Sequence, residues 1–159
     1  MQQQTTIRDY RPNDLESAVT LIHRSIRELA SRDYSPAQIA AWAPDPPDAT
    51  SWAERLARGG AFIAERGDHI AGLARIDDTG HVDLLFVHPD AEGRGVARAL
   101  LEHLCSWARA NGIETLISHV SITARPVFER AGFRVLETQE VERRSVRLRN
   151  FRMVRHIGE

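Results

Sequence analysis

Hydrophobic positions along this chain switch between a helical and a strand period, and the switches mark its elements. Leu15, Val19, Ile22, Ile26 and Leu29 recur at three- and four-residue spacing, with Asn13 and Glu16 placed as a capping box at the start of that helix. Thr5–Asp9 ahead of it reads as a first strand. Ser35-Pro36 with Gln38 opens a second helix, its proline in the first turn. Asp45-Pro46-Pro47-Asp48 is a loop, and Trp52–Arg58 is a short helix ended by Gly59-Gly60. Ala61–Glu65, His69–Arg75 and His81–Val87 form a strand series with turns at Gly67-Asp68 and Asp77–Gly80. Val96–Ala110 is a long helix closed by Asn111-Gly112, and Thr115–Val120 is another strand. Thr123–Ala131 reads as a helix that tolerates Pro126 in its first turn, where an N–H has no intrahelical partner. Arg134–Val141 and Ser145–Met153 complete the set as strands. Helices before a strand meander, then strand-helix-strand, predict a mixed α/β layer architecture. No repeat or linker divides the chain, so residues 1–159 are expected to form one domain.

The segment Val82–Leu101 carries the chemistry. Val82 and Leu84–Val87 read as a buried strand, His88-Pro89-Asp90 breaks it, Gly93-Arg94-Gly95 follows, and a helix opens at Val96. Strand, glycine loop and helix in that order aim backbone N–H groups from the positive end of a helix dipole, which makes an anion site. The two glycines let a bulky anion approach with no Cβ in the way. The spacing is neither a Walker loop nor G-x-G-x-x-G, because no Lys-Ser/Thr follows and Arg98 stands at the sixth position. Taken by itself, an ordinary strand-to-helix turn would look the same.

Composition narrows the class without naming it. Hydrophobic content of 42% and charged content of 27% suit a globular domain, and a net charge of −1 argues against a general nucleic-acid binder. All 21 basic residues are arginine, so no lysine side chain is present to be modified. Cys105, the only cysteine, lies on an apolar helix face with Leu101, Leu104 and Ala108 and reads as core filler. A single thiol cannot form an internal disulfide, which fits a reducing cytoplasm. The polar start Met1-Gln2-Gln3-Gln4-Thr5-Thr6 has no apolar signal region, and no run approaches a membrane span.

Val87-His88-Pro89-Asp90-Ala91-Glu92-Gly93-Arg94-Gly95-Val96-Ala97 resembles motif A of the GNAT superfamily of N-acetyltransferases, Gln/Arg-x-x-Gly-x-Gly/Ala. Gly95 and Ala97 fit, whereas Glu92 stands where the family has Gln or Arg. Ser121 through Phe133 resembles motif B, with Ala124, Glu129, Gly132 and Phe133 in place. Ser121 replaces the usual Asn and Phe128 the usual Tyr. The stretch Tyr34–Pro44 and the closing Asn150-Phe151-Arg152-Met153 look like a bacterial YafP-like branch. The resemblance implies a mixed central sheet flanked by helices, with a V-shaped gap between the parallel strands His81–Val87 and Thr115–Val120. It implies acetyl-CoA in that gap as co-substrate; His81, Asp83, His88 and His119 could suggest a metal site, but strand alternation splits the first two from His88, so no metal is expected. The pyrophosphate would lie on amides of Gly93, Arg94, Gly95, Val96 and Ala97, with Glu92 tolerated if turned outward; Arg94 and Arg98, in the first helical turn, either meet its oxygens or are solvated helix surface. The pantetheine arm would pair with Leu85, Phe86 and Val87, close to Ser121 and Phe128.

The chemistry implied is acyl transfer to an amine. Deprotonating an alkyl amine of pKa near 10.4 costs about 4–5 kcal/mol at pH 7, whereas reprotonating a leaving thiolate of pKa about 8.5 is roughly a 2 kcal/mol matter. A general base therefore matters more than a general acid. Period-two alternation puts His81, Asp83, Leu85 and Val87 on one strand face. Asp83, His81 and, on the facing strand, His119 are the candidate bases. Phe128 has no proton to give, which leaves water, the Ser121 hydroxyl or another residue for the thiolate, or an enzyme that does without an acid. Tyr34 and Trp42 either wall an acceptor pocket or belong to the core. Arg143–Arg155 holds six arginines; a solvated strand pair accounts for most, and an acidic acceptor or partner is the sharper alternative. The expected partner is a small-molecule amine, with a protein amine or an acyl-CoA sensor lacking turnover as rivals. Neither nucleic acid nor membrane is expected, and a homodimer is compatible with all of these readings.

Overall fold

The computed structural model describes residues 4–158; residues 1–3 of the polar start lie outside them. The chain runs β1 (Thr5–Asp9), α1 (Leu15–Arg24), α2 (Pro36–Trp42), α3 (Ala49–Leu56), β2 (Gly60–Arg66), β3 (His69–Ile76), β4 (His81–Val87), α4 (Val96–Ala110), β5 (Thr115–Ser121), α5 (Arg125–Arg130), β6 (Arg134–Arg143) and β7 (Val146–His156). The seven strands form one sheet in the order β1-β2-β3-β4-β5-β7-β6. Only β4 and β5 pair in parallel; the other neighbours are antiparallel. This is the mixed, helix-flanked sheet that the periodicities and the resemblance led one to expect.

Each face of the sheet has its own core. Leu100, Leu101, Leu104, Cys105 and Ala108 of α4 are fully buried against one face, together with Leu116, Phe128 and Met153. On the other face Leu21, Ile22 and Ile26 pack with Ile39, Leu56, Ile63 and Leu73. The helix that begins as α1 passes into a π-helical turn at Ser25–Leu29. Its start differs from the expected Asn13–Glu16 box. A 3₁₀ turn at Pro12–Asp14 precedes it, and the Asp14 carboxylate takes the Arg11 N–H at 2.8 Å. Asp14 is drawn there because the same carboxylate holds the Arg8 guanidinium, which keeps it below the usual Asp range. At α2 the Ser35–Gln38 box forms as expected. Among the described residues no helix is long and apolar enough to cross a membrane.

The parallel ladder between β4 and β5 is short. It comprises His81↔Ile117 and Val82↔Ser118 and then stops. At its last rung the buried Ser118 hydroxyl donates to the Val82 carbonyl at 2.8 Å. Beyond that point β4 stays with β3 as far as Gly72↔Val87, and β5 stays with β7 as far as Ser121↔Asn150. Two strands held firmly on their outer sides and released on their inner sides make the V-shaped gap.

A bulge corrects the simple alternation expected for β4. Arg75 faces Leu84 and the next residue, Ile76, faces Val82, so Asp83 is an extra residue with no partner on β3. Val82, Leu85 and Val87 consequently pack on the α4 side, while Leu84 and Phe86 pack on the α1 side. His81, Asp83, Leu85 and Val87 do not share one face, because the bulge resets the period between Val82 and Leu85.

Gly72 seats the N-terminus of α4 on the sheet. A Cβ there would come within 2.8 Å of Val96 Cγ1 and 2.9 Å of the Phe86 carbonyl oxygen. Gly72→Ala should therefore cost about 1–3 kcal/mol of overpacking strain. Thermal denaturation should show Tm falling by roughly 2–4 °C for each kcal/mol lost; an unchanged Tm would mean that α4 does not rest on this glycine.

Candidate active site

The gap opens into a cavity of about 870 Å³ that passes through the sheet between β4 and β5. Every residue singled out from the sequence for this site lines it except Arg94. On the α4 side lies the glycine loop. Gly93 and Gly95 have φ of +78° and +80°, a backbone region that L side chains rarely adopt, and a Cβ at either would meet no protein atom within 4 Å. Gly95 caps α4, with no side chain bonded to the cap. Among the described residues the N–H groups of Gly93, Gly95, Val96, Ala97 and Arg98 have no protein acceptor, whereas that of Arg94 goes to the Ala91 carbonyl. Five amides around an open concavity, at the positive end of a 15-residue helix, form an anion cradle.

Glu92 does not face this cradle as an uncompensated charge. Arg32 grips its carboxylate with two hydrogen bonds of 2.7 and 2.8 Å, and this contact holds it below the usual Glu range. Arg98 lies exposed on the cavity wall, with no carboxylate within ion-pair distance among the described residues. Next to the cradle, the inner edge of β4 from Asp83 to Val87 has no strand partner. Phe86 stands opposite Leu73 in the same register as the bonded pair His88–Ala71, so its peptide groups turn to β3, and of the three expected residues Leu85 and Val87 offer peptide groups to an extended ligand.

The opposite half of the cavity holds the titratable groups. Asp83 is clamped: Oδ1 accepts from Arg55 at 3.0 Å and Oδ2 from Arg75 at 2.8 Å. His81 and His119 face each other across the two strands with ring centroids 5.3 Å apart and planes at 78°. Partial burial is the largest influence on His119, followed by the neighbouring His81, and both push its pKa below the ordinary imidazole value. The Gln139 amide meets His119 Nδ1 at 2.9 Å and Asn150 Oδ1 at 3.0 Å. These two amides can turn over together without losing their mutual bond, so that Gln139 presents either N–H or carbonyl to Nδ1.

The remaining expected residues divide between lining and support. Tyr34 is buried, and its hydroxyl donates to the Arg149 carbonyl while accepting the Ile122 N–H. Its ring meets Trp42 edge-on at 5.5 Å between centroids. Both rings border the cavity, and Tyr34 also belongs to the α1-side core, so neither of the two sequence readings excludes the other. Ser121 accepts the Ala124 N–H at 3.0 Å and keeps its own proton. Phe128 is buried against Phe133, with no polar atom to offer.

Arg55, Arg75, Ser118 and Gln139 escaped the sequence reading. Their roles depend on how α3, β3, β5 and β6 lie beside β4, and no local periodicity reports that. Trp52 is a partial exception. Its period marked a helix, but its edge-on contact with Phe86 and the Arg55 guanidinium over its ring at 4.6 Å are tertiary.

The lowered pKa of His119 has a stability consequence with a definite sign. The folded state resists protonating this ring, so between its folded value and the unfolded value near 6.5 the unfolded chain binds more protons. The contribution is present in full above about pH 6.5 and is lost as pH falls toward the folded value. Urea denaturation should show wild type losing more stability than His119→Gln between about pH 7.5 and 5.5; parallel losses would place the ring in solvent.

Comparison with known proteins agrees with this geometry. The acetyltransferase (GNAT) domain family matches residues 30–155. A curated relative, the uncharacterized N-acetyltransferase YafP of Escherichia coli K12, is 38% identical over 148 residues, covering 92% of this chain and 93% of its own. A crystal structure from Rhodopseudomonas palustris, described as a GCN5-related N-acetyltransferase and class-II aminotransferase, superposes with a TM-score of 0.92 at 29% identity over 98% of both chains. The protein yncA of Salmonella typhimurium, described as a putative acetyltransferase and solved with its cofactor acetyl-CoA, shares the fold at a TM-score of 0.74 and 20% identity, over 98% of this chain and 95% of its own. A split parallel ladder beside a glycine-lined amide cradle, matched over most of its length by a family model and a curated relative, identifies this chain as a member of the GNAT family of N-acetyltransferases.

Proposed function

We propose that this chain acts as a single-domain, cytoplasmic enzyme that carries an acetyl group from acetyl-CoA directly to the amine of a small molecule. The observation that carries this reading is the set of unpartnered amides at Gly93 and Gly95–Arg98, continuous with the unpaired edge of β4. Together they suit a diphosphate followed by an extended amide-containing arm, which is the chemistry of coenzyme A. Acetyl-CoA, when bound, supplies the activated thioester. The neighbour solved with acetyl-CoA supports the assignment.

The chain's own residues have three tasks. The α4 amides hold the pyrophosphate, and Leu85 and Val87 hold the pantetheine peptide groups so that the thioester lies beside the end of the β4–β5 ladder. The His81–His119 pair removes the proton from the incoming ammonium. His119 suits a base because its lowered pKa keeps it neutral at pH 7, provided that Gln139 accepts from Nδ1–H and leaves the Nε2 lone pair open. Asp83, with both oxygens engaged by guanidinium groups, fits better as the strut that fixes Arg55 and Arg75 around the bulge. The third task is returning a proton to sulfur, where the Ser121 hydroxyl, its oxygen oriented by the Ala124 N–H, would relay a proton that it regains from solvent water.

Two expected outcomes test this reading. In Gly95→Ala the methyl projects into the cradle and meets no protein atom, while the positive φ costs on the order of 1 kcal/mol. The KM for acetyl-CoA, followed by thiol release, should rise about tenfold while the fold survives; an unaltered KM removes the cradle as the cofactor site. The second outcome concerns the acid limb of kcat/KM, which should lie below pH ~6.5 in wild type and vanish in His119→Gln with a 10²-fold or greater loss, roughly the worth of a general base. Removing the neighbour that depresses His119, by His81→Gln, should move that limb to higher pH. A limb that follows Asp83→Asn instead would reassign the base.

A further inference from the structure

The acceptor half of the cavity is graded along the β6–β7 hairpin. Positions 139, 141 and 143 of β6 share one face by strand alternation and pair with Asn150, Leu148 and Val146 of β7. The first rung, Gln139 with Asn150, is polar and touches His119. The second, Val141 with Leu148, is apolar and belongs to the α1-side core. The third ends on Arg143, and Arg144 follows in the turn; both line the cavity. The acidic residues Glu140 and Glu142 alternate onto the other face, where Glu140 lies 3.7 Å from Arg147.

Charge on the cavity wall is unevenly compensated. Two of the carboxylates on the lining are paired with cations, Asp83 with Arg55 and Arg75 and Glu92 with Arg32, while Asp48, at the start of α3, takes the Ser51 N–H. Arg143 and Arg144 have no carboxylate within ion-pair distance among the described residues. Arg143 reaches only the Glu142 carbonyl, and Arg144 the Ala41 carbonyl at 2.7 Å. The turn that presents them is itself unusual. Arg144 and Ser145 both have positive φ, +47° and +66°, where a two-residue hairpin turn ordinarily uses Asn or Gly. A guanidinium is thus kept at the cavity mouth in a backbone conformation that disfavours it.

We infer that the acceptor is an amine whose apolar body carries an anionic group at the end remote from the amine, and that Arg143 and Arg144 receive that group. The amine lies at His119 and the Gln139–Asn150 rung, the body crosses Val141 and Leu148, and the anion meets the guanidinium groups at the hairpin tip. The strand rise of about 3.4 Å per residue sets the backbone span from position 139 to 143, and the Arg143 side chain shortens it, being near enough to His119 to act on it electrostatically. The inference rests on the acetyltransferase reading and adds the class of acceptor to it.

The test compares straight-chain ω-amino carboxylates of increasing length with the n-alkylamines and ω-amino carboxamides of the same length, by thiol release from acetyl-CoA. Charge-assisted hydrogen bonds to guanidinium should favour the carboxylate over its carboxamide by about tenfold or more in kcat/KM at the best length. That ratio should collapse in Arg143→Gln and persist in Arg147→Gln, whose side chain lies on the outer face. A ratio near one, or one indifferent to Arg143→Gln, overturns the anionic subsite while the turnover itself upholds the transferase reading. Absence of turnover with every amine, with CoA still raising Tm, would instead defeat the transferase reading. Calorimetry of the same carboxylates and carboxamides on CoA-loaded protein then decides the subsite by itself. Tighter binding of the acid that Arg143→Gln abolishes supports it, and equal or absent binding overturns it.

Discussion

The architecture depends on a ladder that stops early. Adjacent parallel strands normally continue hydrogen bonding along their shared length, and a buried unpaired edge is costly. Here β4 and β5 part after two rungs. Each is held in place by its outer antiparallel neighbour, and Ser118 bonds to Val82 at the vertex. The Asp83 bulge sits one residue past the last rung, where an extra residue bends the strand away. Its carboxylate is fixed by Arg75 from the neighbouring strand and by Arg55 from α3, so the departure of β4 is braced from two sides. A free peptide edge, a through-sheet cavity and the positioning of α4's amides all follow from that divergence.

Three consecutive residues then tie the two sides of the gap together. Arg32 grips Glu92 in the phosphate loop, Asp33 accepts from Thr123 at the start of the β5–α5 turn, and the Tyr34 hydroxyl joins Ile122 to Arg149. This strap gives the departure at Glu92 a physical role. A carboxylate beside a diphosphate would repel it by about 1 kcal/mol at 4 Å in water. Paired with a guanidinium it becomes an anchor for the segment that covers the gap, with little net charge toward the cradle. The family's more usual Gln or Arg at that position could not make this pair with Arg32.

Much of this was legible in the chain because it is encoded locally. Helical and strand periods, the Ser35–Gln38 box and the two glycines of the cradle each require only neighbours in sequence. The less legible features arise where two distant segments compete for one group. Asn13 and Glu16 are well spaced for a cap, yet Asp14 takes the role because Arg8, on a strand, fixes its carboxylate there. The alternation expected for His81–Val87 fails because the bulge is set by register with β3, which no window along β4 contains. The candidate bases were found as residue types at strand positions. Their sorting, with Asp83 engaged by two arginines and His119 set against His81, needed α3 and β5 in place.

The replacement of a tyrosine by Phe128 is then less damaging than it first looks, because the two protons in this reaction differ in difficulty. Removing one from an alkylammonium at pH 7 costs about twice as much as supplying one to a thiolate. Under the proposed function, a site without a dedicated acid but with the His119 imidazole beside the amine would keep the more valuable group. Phe128 packs edge-on against Phe133, where a hydroxyl would need a partner in an apolar cluster. Ser121 stands at the end of β5 with its proton uncommitted and its oxygen already aligned by Ala124. Loss of the phenol therefore still leaves a hydroxyl, that of Ser121, at the end of β5, and the polar groups of the facing wall gather where His119, Gln139 and Asn150 meet.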